Sequence, residues 1–138
     1  MILTGLTKYR DLGLLLLRVG IGCAFIAHGW PKLMGGSKAW AQTGAAMGYL
    51  GINFAPAAWG FLAALAEAAG GALLVLGFLF RPACIILVLD MTVAIIFHLN
   101  QTGLLGQFGP GWSHPMEDGI LFLALTLIGP GKYSIDRQ

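Results

Sequence analysis

The sequence predicts an all-α fold: a polytopic membrane four-helix bundle with a short interfacial helix in its first outer loop. Three observations predict it. Hydrophobic residues make up 57% of the 138-residue chain and charged residues only 10%, whereas a soluble domain averages about 25% charged. The mean hydropathy is +0.79. Four apolar segments, at about 12–33, 57–80, 82–99 and 116–129, approach the roughly 20 residues that cross a bilayer core. With short connections they use up the length, so residues 1–138 are read as a single membrane domain whose first partner is the lipid bilayer. The net charge of +2 is small and scattered, which argues against a nucleic-acid surface.

Lys8 and Arg10 ahead of the first apolar segment resemble a signal peptide, but Arg18 inside the run and the lack of a small-x-small cleavage site mark a retained helix. Arg18, Gly22, Phe25, Gly29 and Lys32 share one helical stripe, with His28 on its flank. In the connection that follows, Trp40, Thr43, Met47 and Leu50 recur at helical spacing behind Ser37, a suitable N-cap. This predicts a short helix on or dipping into the outer interface. In the second span Gly60, Ala63, Ala64, Gly70 and Gly71 surround Glu67. Small residues let helices approach closely in lipid, so Glu67 is expected to face other helices. Arg81-Pro82 is expected to mark the tight inner turn, because proline ends a helix or opens the next. Asp90, Ala94 and Phe97 form a stripe on the third span, with His98 beside it. The connection at 100–115, rich in glycine and aromatics, is expected to lie as a lid over the bundle, where protein or water satisfies its backbone. Glu117 and Asp118 open the fourth span.

With four spans, Lys8, Arg10, Arg81, Lys132 and Arg137 fall on one side and Lys32 and Lys38 on the other. The positive-inside rule then puts both termini in the cytoplasm. Cys23 and Cys84 differ in depth by more than the about 7 Å a disulfide allows, so both are expected to be unpaired. Without a Cys-x-x-Cys pair, dithiol–quinone exchange is disfavoured.

Charges inside the hydrocarbon cost about 2.5–3.5 kcal/mol each on insertion scales and are usually functional. Arg18 and Asp90, both roughly 10–12 Å from the inner surface by helical rise, read as an ion pair, serving either as a structural lock or as a proton relay. Further out, one helix each contributes His28, Glu67, His98 and Glu117 or Asp118, with Lys32 and His114 just above. Three chemistries fit this layer. Histidine and carboxylate can protonate a quinone head group, can hold a metal, or can satisfy one another. The absence of a Glu-x-x-His pair disfavours a di-iron bundle, and no residue is assigned as a metal ligand. Trp30, Trp40, Trp59 and Trp112 read first as an aromatic belt. Read instead as a wall for a ring-shaped ligand, they bring Trp112 into the binding set.

Taken in order, these pieces resemble the DoxX/DoxD-like family of bacterial membrane proteins. The matching residues are Arg18 with His28-Gly29-x-x-Lys32, then Glu67-x-x-Gly70-Gly71 followed by Leu76-Gly77 and Arg81, then His98 and Glu117, and the tail Gly129-Pro130-Gly131-Lys132-Tyr133-Ser134-Ile135-Asp136. They span almost the whole chain. The resemblance implies a four-helix protein of the bacterial inner membrane and, in some members, quinone-linked sulfur oxidation or redox-stress complexes with a separate partner subunit. It marks Arg18, Lys32, Glu67, His98 and Glu117 as functional positions, while His28 and Asp90 are weaker family features. The leading expectation is a membrane subunit of a quinone-linked oxidoreductase. Glu67, His98 and Glu117 would handle protons, and Arg18, His28, Lys32 and Trp112 would contact quinone or set its field. The alternatives are a small-solute or ion pathway, and a structural anchor for a partner protein. Small-residue stripes are also compatible with a homo-oligomer.

Overall fold

The computed structural model describes residues 4–104 and 111–136, and every regular element within them is helical. A 3-10 segment, Thr4–Tyr9, leads into α1 (Arg10–Met34). The short α2 (Gly36–Gly44) continues as a 3-10 turn, Ala45–Leu50, and is followed by α3 (Pro56–Leu76), α4 (Phe80–Thr102) and α5 (Ser113–Ile128). Three of these, α1 with its leading turn, α3 and α4, are long and apolar enough to cross a membrane. The 16 residues of α5 rise about 24 Å, short of the roughly 30 Å hydrocarbon core. Residues 105–110 of the expected lid, and Arg137, lie outside the described residues.

Glycine sets the spacing of α1 and α3. The buried face of α1 is Leu14, Arg18, Gly22, Phe25 and Gly29, four of which belong to the stripe expected from the sequence; Lys32, its fifth member, reaches the surface. A Cβ on Gly22 would lie 2.6 Å from the carbonyl oxygen of Gly71, and one on Gly29 would lie 2.7 Å from Cβ of Glu67. The two backbones are therefore in contact. The same holds where α2 crosses α3, since a Cβ on Gly60 would run into the Trp40 carbonyl and one on Gly44 into that of Pro56. Trp40 completes that joint. Its Nε1 donates to the carbonyls of Lys32 (3.1 Å) and Leu33 (3.2 Å), and its ring meets Phe61 edge-on at 5.0 Å. The short helix thus packs on α3. Ser37 lies inside it, and no side chain caps its N-terminus.

On the other side of the molecule α3 packs on α4, and α4 on α5. Phe25 of α1 meets Phe122 of α5 edge-on at 4.8 Å, which joins the two ends of the row. The core they enclose holds Leu74, Phe80, Cys84, Leu87, Met91 and Leu125. The outer faces remain apolar: Leu16 is 67% exposed, Leu89 62% and Leu127 77%. A continuous exposed apolar surface of this kind marks a membrane-facing protein. Cys23 is exposed, Cys84 is buried, and both are free.

The turn between α3 and α4 comes earlier than the expected Arg81-Pro82. α3 stops at Leu76 with Gly77 as its left-handed cap (φ 62°), and Leu79, also left-handed (φ 45°), leads into α4. Pro82 sits in the first turn of α4, where a missing N–H breaks no helical bond. The C-terminal tail clasps this turn. The N–H groups of Ile135 and Asp136 donate to the carbonyls of Leu76 (3.3 Å) and Gly77 (2.8 Å), and Oδ2 of Asp136 accepts from the Phe80 N–H at 2.8 Å. Lys132 N–H donates to Oδ1 of Asp11 at 3.3 Å. The start of α1, Arg81 and Lys132 therefore share one end of the molecule.

Candidate functional site

The half of the helices away from Arg81 and Lys132 encloses a pocket of about 220 Å³. Its polar lining is His28 and Lys32 from α1, Glu67 from α3, His98 from α4, and His114 and Asp118 from α5. The chain has three histidines, and all of them are here. Ile21, Ala24, Phe25 and Met91 supply an apolar floor. The groups reach one place because α1 and α3 touch backbone to backbone at Gly29, which brings Lys32 onto Glu67. Lys32 Nζ lies 2.6 Å from Oε1 of Glu67. The Glu67 side chain is 8% exposed and that of Lys32 42%, so the pair runs from the interior to the pocket mouth. A charge-assisted contact of this length offsets part of the cost of burying the carboxylate. The second Glu67 oxygen, Oε2, is buried without a hydrogen-bond partner. Across the pocket, Nδ1 of His114 is 3.6 Å from Oδ2 of Asp118, one turn along α5.

Of the pair Glu117 or Asp118, the structure turns Asp118 inward and leaves Glu117 exposed. The reason is helical phase. Pro115, Phe122 and Leu125 are the buried residues of α5, and Asp118 lies on their stripe at spacings of three and four. Trp112 is half-buried and lines neither this pocket nor the groove described next. Arg18 is also elsewhere. It is 2% exposed and lies at the α3–α4 turn, where its guanidinium packs against Gly77 close to Ser134.

The expected Arg18–Asp90 pair does not form. Asp90 lies level with Glu67 on the neighbouring helix, close enough for the two carboxyls to feel one another's charge. The reason lies in where the chain turns. Measured from 81–82, Glu67 and Asp90 lie at unequal depths. Measured from 77–79, they are nearly level on antiparallel helices, in line with the contact of Gly70 against Leu87. α1 also overhangs the turn, so counting from Arg10 placed Arg18 too deep. Asp90 faces a second, more apolar groove of about 360 Å³ between the α2 segment, α3 and α4, where Trp59, Ala63 and Ala66 are among its neighbours.

This arrangement can hold and pass protons. Three imidazoles share the pocket with two carboxyls and an ammonium, side chains that can donate and accept protons. Among the described residues, no three His, Cys, Asp or Glu side chains converge at metal-binding spacing.

The DoxX family model matches residues 13–99, a span that carries Arg18, His28, Lys32, Glu67, Asp90 and His98 and ends before α5. The inner membrane protein YqjF of Escherichia coli (strain K12) is 32% identical over 133 residues, 94% of each chain. The inner membrane protein YphA of the same organism is 31% identical over 144 residues, 95% of this chain and 97% of that relative. No solved structure matches.

Proposed function

The chain belongs to the DoxX family, and from that premise we propose that it is the membrane subunit of a quinone-linked oxidoreductase of the bacterial inner membrane. The observation that carries this reading is the gathering of every histidine in the chain with Glu67, Lys32 and Asp118 around one pocket with an apolar floor. The donor set fits a quinone head group, whose two oxygens need proton donors on opposite sides, and the apolar wall fits its ring. A pocket of about 220 Å³ falls below the range typical for drug-sized ligands, in keeping with a head group whose tail stays in lipid. When bound, a quinone supplies two-electron redox chemistry coupled to protons.

The residues have distinct parts in this reading. His98 and Glu67 exchange protons at one side of the pocket, and His114 with Asp118 does so at the other. Lys32 holds Glu67 in place and biases the pocket toward negative charge. His28 lines the α1 wall. Arg18 acts at a distance, fixing the inner turn through Gly77. α5 is the fourth span: its exposed Ile120, Leu123 and Leu127 match a lipid-facing side, and local bilayer thinning accommodates its length. Both termini face the cytoplasm, the side favoured by the basic end. A partner subunit supplies or removes electrons.

The test is a titration of the purified protein with a short-tailed quinone, followed by calorimetry. Saturable binding is expected, and His98→Leu should weaken it about tenfold, the equivalent of one hydrogen bond of about 1–1.5 kcal/mol. Non-saturable partitioning into detergent would remove the reading.

A further inference from the structure

Glu67 and Asp90 are two carboxyls level with one another on adjacent helices, with one cation, Lys32, paired to the first of them at 2.6 Å. Each carries a buried oxygen without a hydrogen-bond partner, Oε2 of Glu67 and Oδ2 of Asp90. The helices are held in this register by small residues, since a Cβ on Gly70 would lie 3.2 Å from the Leu87 side chain, one turn from the carboxyls on both helices. Two like charges level on adjacent helices in a low-dielectric interior repel one another, and a single ammonium compensates only one of them. A proton held between the carboxyls removes the second charge and gives the unpartnered oxygens a donor. The paired carboxyls of aspartic proteases solve the same electrostatic problem this way.

We propose that Glu67 and Asp90 form one proton-holding site, a carboxyl dyad that carries a single proton between them and connects the outer pocket with the groove on the other face of α3. Glu67 lines the pocket and Asp90 lines the groove. The transfer balances. The resident proton sits on Asp90, because Lys32 compensates Glu67, and Glu67 takes a second proton released in the pocket. Asp90 then gives its proton to a water molecule entering the groove, and the proton on Glu67 moves across to Asp90, breaking one O–H bond and making another, which restores the starting state. His28, His98, His114 and Asp118 are the other titratable groups around the pocket. On the groove side the neighbours are Thr43 and Trp59, with apolar residues around them. Asp90 is therefore the only carboxylate among the residues that line that groove.

The dyad is independent of what the outer pocket binds, and so is its test. Infrared spectroscopy of the full-length protein in lipid at neutral pH reads protonated carboxyls directly through their C=O stretch and its shift in D2O. The wild type is expected to show a protonated-carboxyl band, Asp90→Asn to lose it because the remaining Glu67 ionises against Lys32, and Lys32→Met to double it because neither carboxyl then has a counter-charge. Asp90→Asn is nearly isosteric. Should it fail to fold, the wild-type and Lys32→Met spectra decide the matter. Absence of the band in the wild type, its survival in Asp90→Asn, or its loss only in Asp118→Asn overturns the proposal. A failed quinone titration alongside the expected band pattern would count against the oxidoreductase reading alone.

Discussion

At Gly29 the Cβ of an alanine would fall on the Glu67 side chain and on the Ala68 backbone, whereas at Gly20, also on α1, it would meet nothing within 4 Å. The two glycines therefore separate packing from propensity. Gly29→Ala is expected to lower stability by about 1–3 kcal/mol, the usual cost of overpacking, and to lengthen the Lys32–Glu67 contact. Gly20→Ala should be neutral or stabilising by up to about 1 kcal/mol, the helix preference of alanine over glycine. Unfolding of both variants in mixed micelles checks this, and equal losses would refute it. The stripe through Arg18, Gly22, Phe25 and Gly29 was legible because burial in a helix follows its period. The choice between Glu117 and Asp118 was equally present in the chain, through the spacing of Asp118 from Phe122 and Leu125. The clustering at 117–118 concealed it, because neighbouring residues on a helix point about 100° apart.

The helices themselves follow from apolar length, but the α3–α4 turn does not, since it combines two left-handed residues with a cap contributed from elsewhere. Proline drew attention to 81–82, while the chain reverses at 77–79. That shift of a few residues separated Asp90 from Glu67 on paper and paired it with Arg18. Nothing local to the turn announces that Asp136 accepts from the Phe80 N–H. Leu79 has a positive φ of 45°, a conformation that costs a non-glycine residue roughly 1–2 kcal/mol, and the clasp of the tail holds it there. Asp136→Ala is expected to destabilise the protein by about 0.5–2 kcal/mol, as loss of a helix cap does, and to speed proteolysis of the tail. Asp136→Asn, which keeps an accepting oxygen, should recover most of the loss. Identical melting curves for the alanine variant and the wild type would show that the cap is idle.

Across the molecule, charge is sorted by end. Lys132 and Asp11 approach to 4.0 Å at the end that also holds Arg10 and Arg81, while Lys32 and the histidine pocket occupy the opposite half. If α5 crosses the membrane, cysteines placed at Lys8 and Lys132 in a background lacking Cys23 and Cys84 are expected to react with a membrane-impermeant thiol reagent from the cytoplasmic side, and one at Lys38 from the other. Labelling of positions 38 and 132 from the same side would mean that α5 does not cross. The clasp also has a bearing on biogenesis. The Phe80 N–H and its Asp136 acceptor are 56 residues apart, an interval that a ribosome working at roughly 5–20 residues per second takes about 3–11 seconds to cover. During those seconds the α3–α4 turn is without that cap, while the glycine joints of α1, α2 and α3 need nothing beyond residue 76. The tail is thus the last piece the turn waits for.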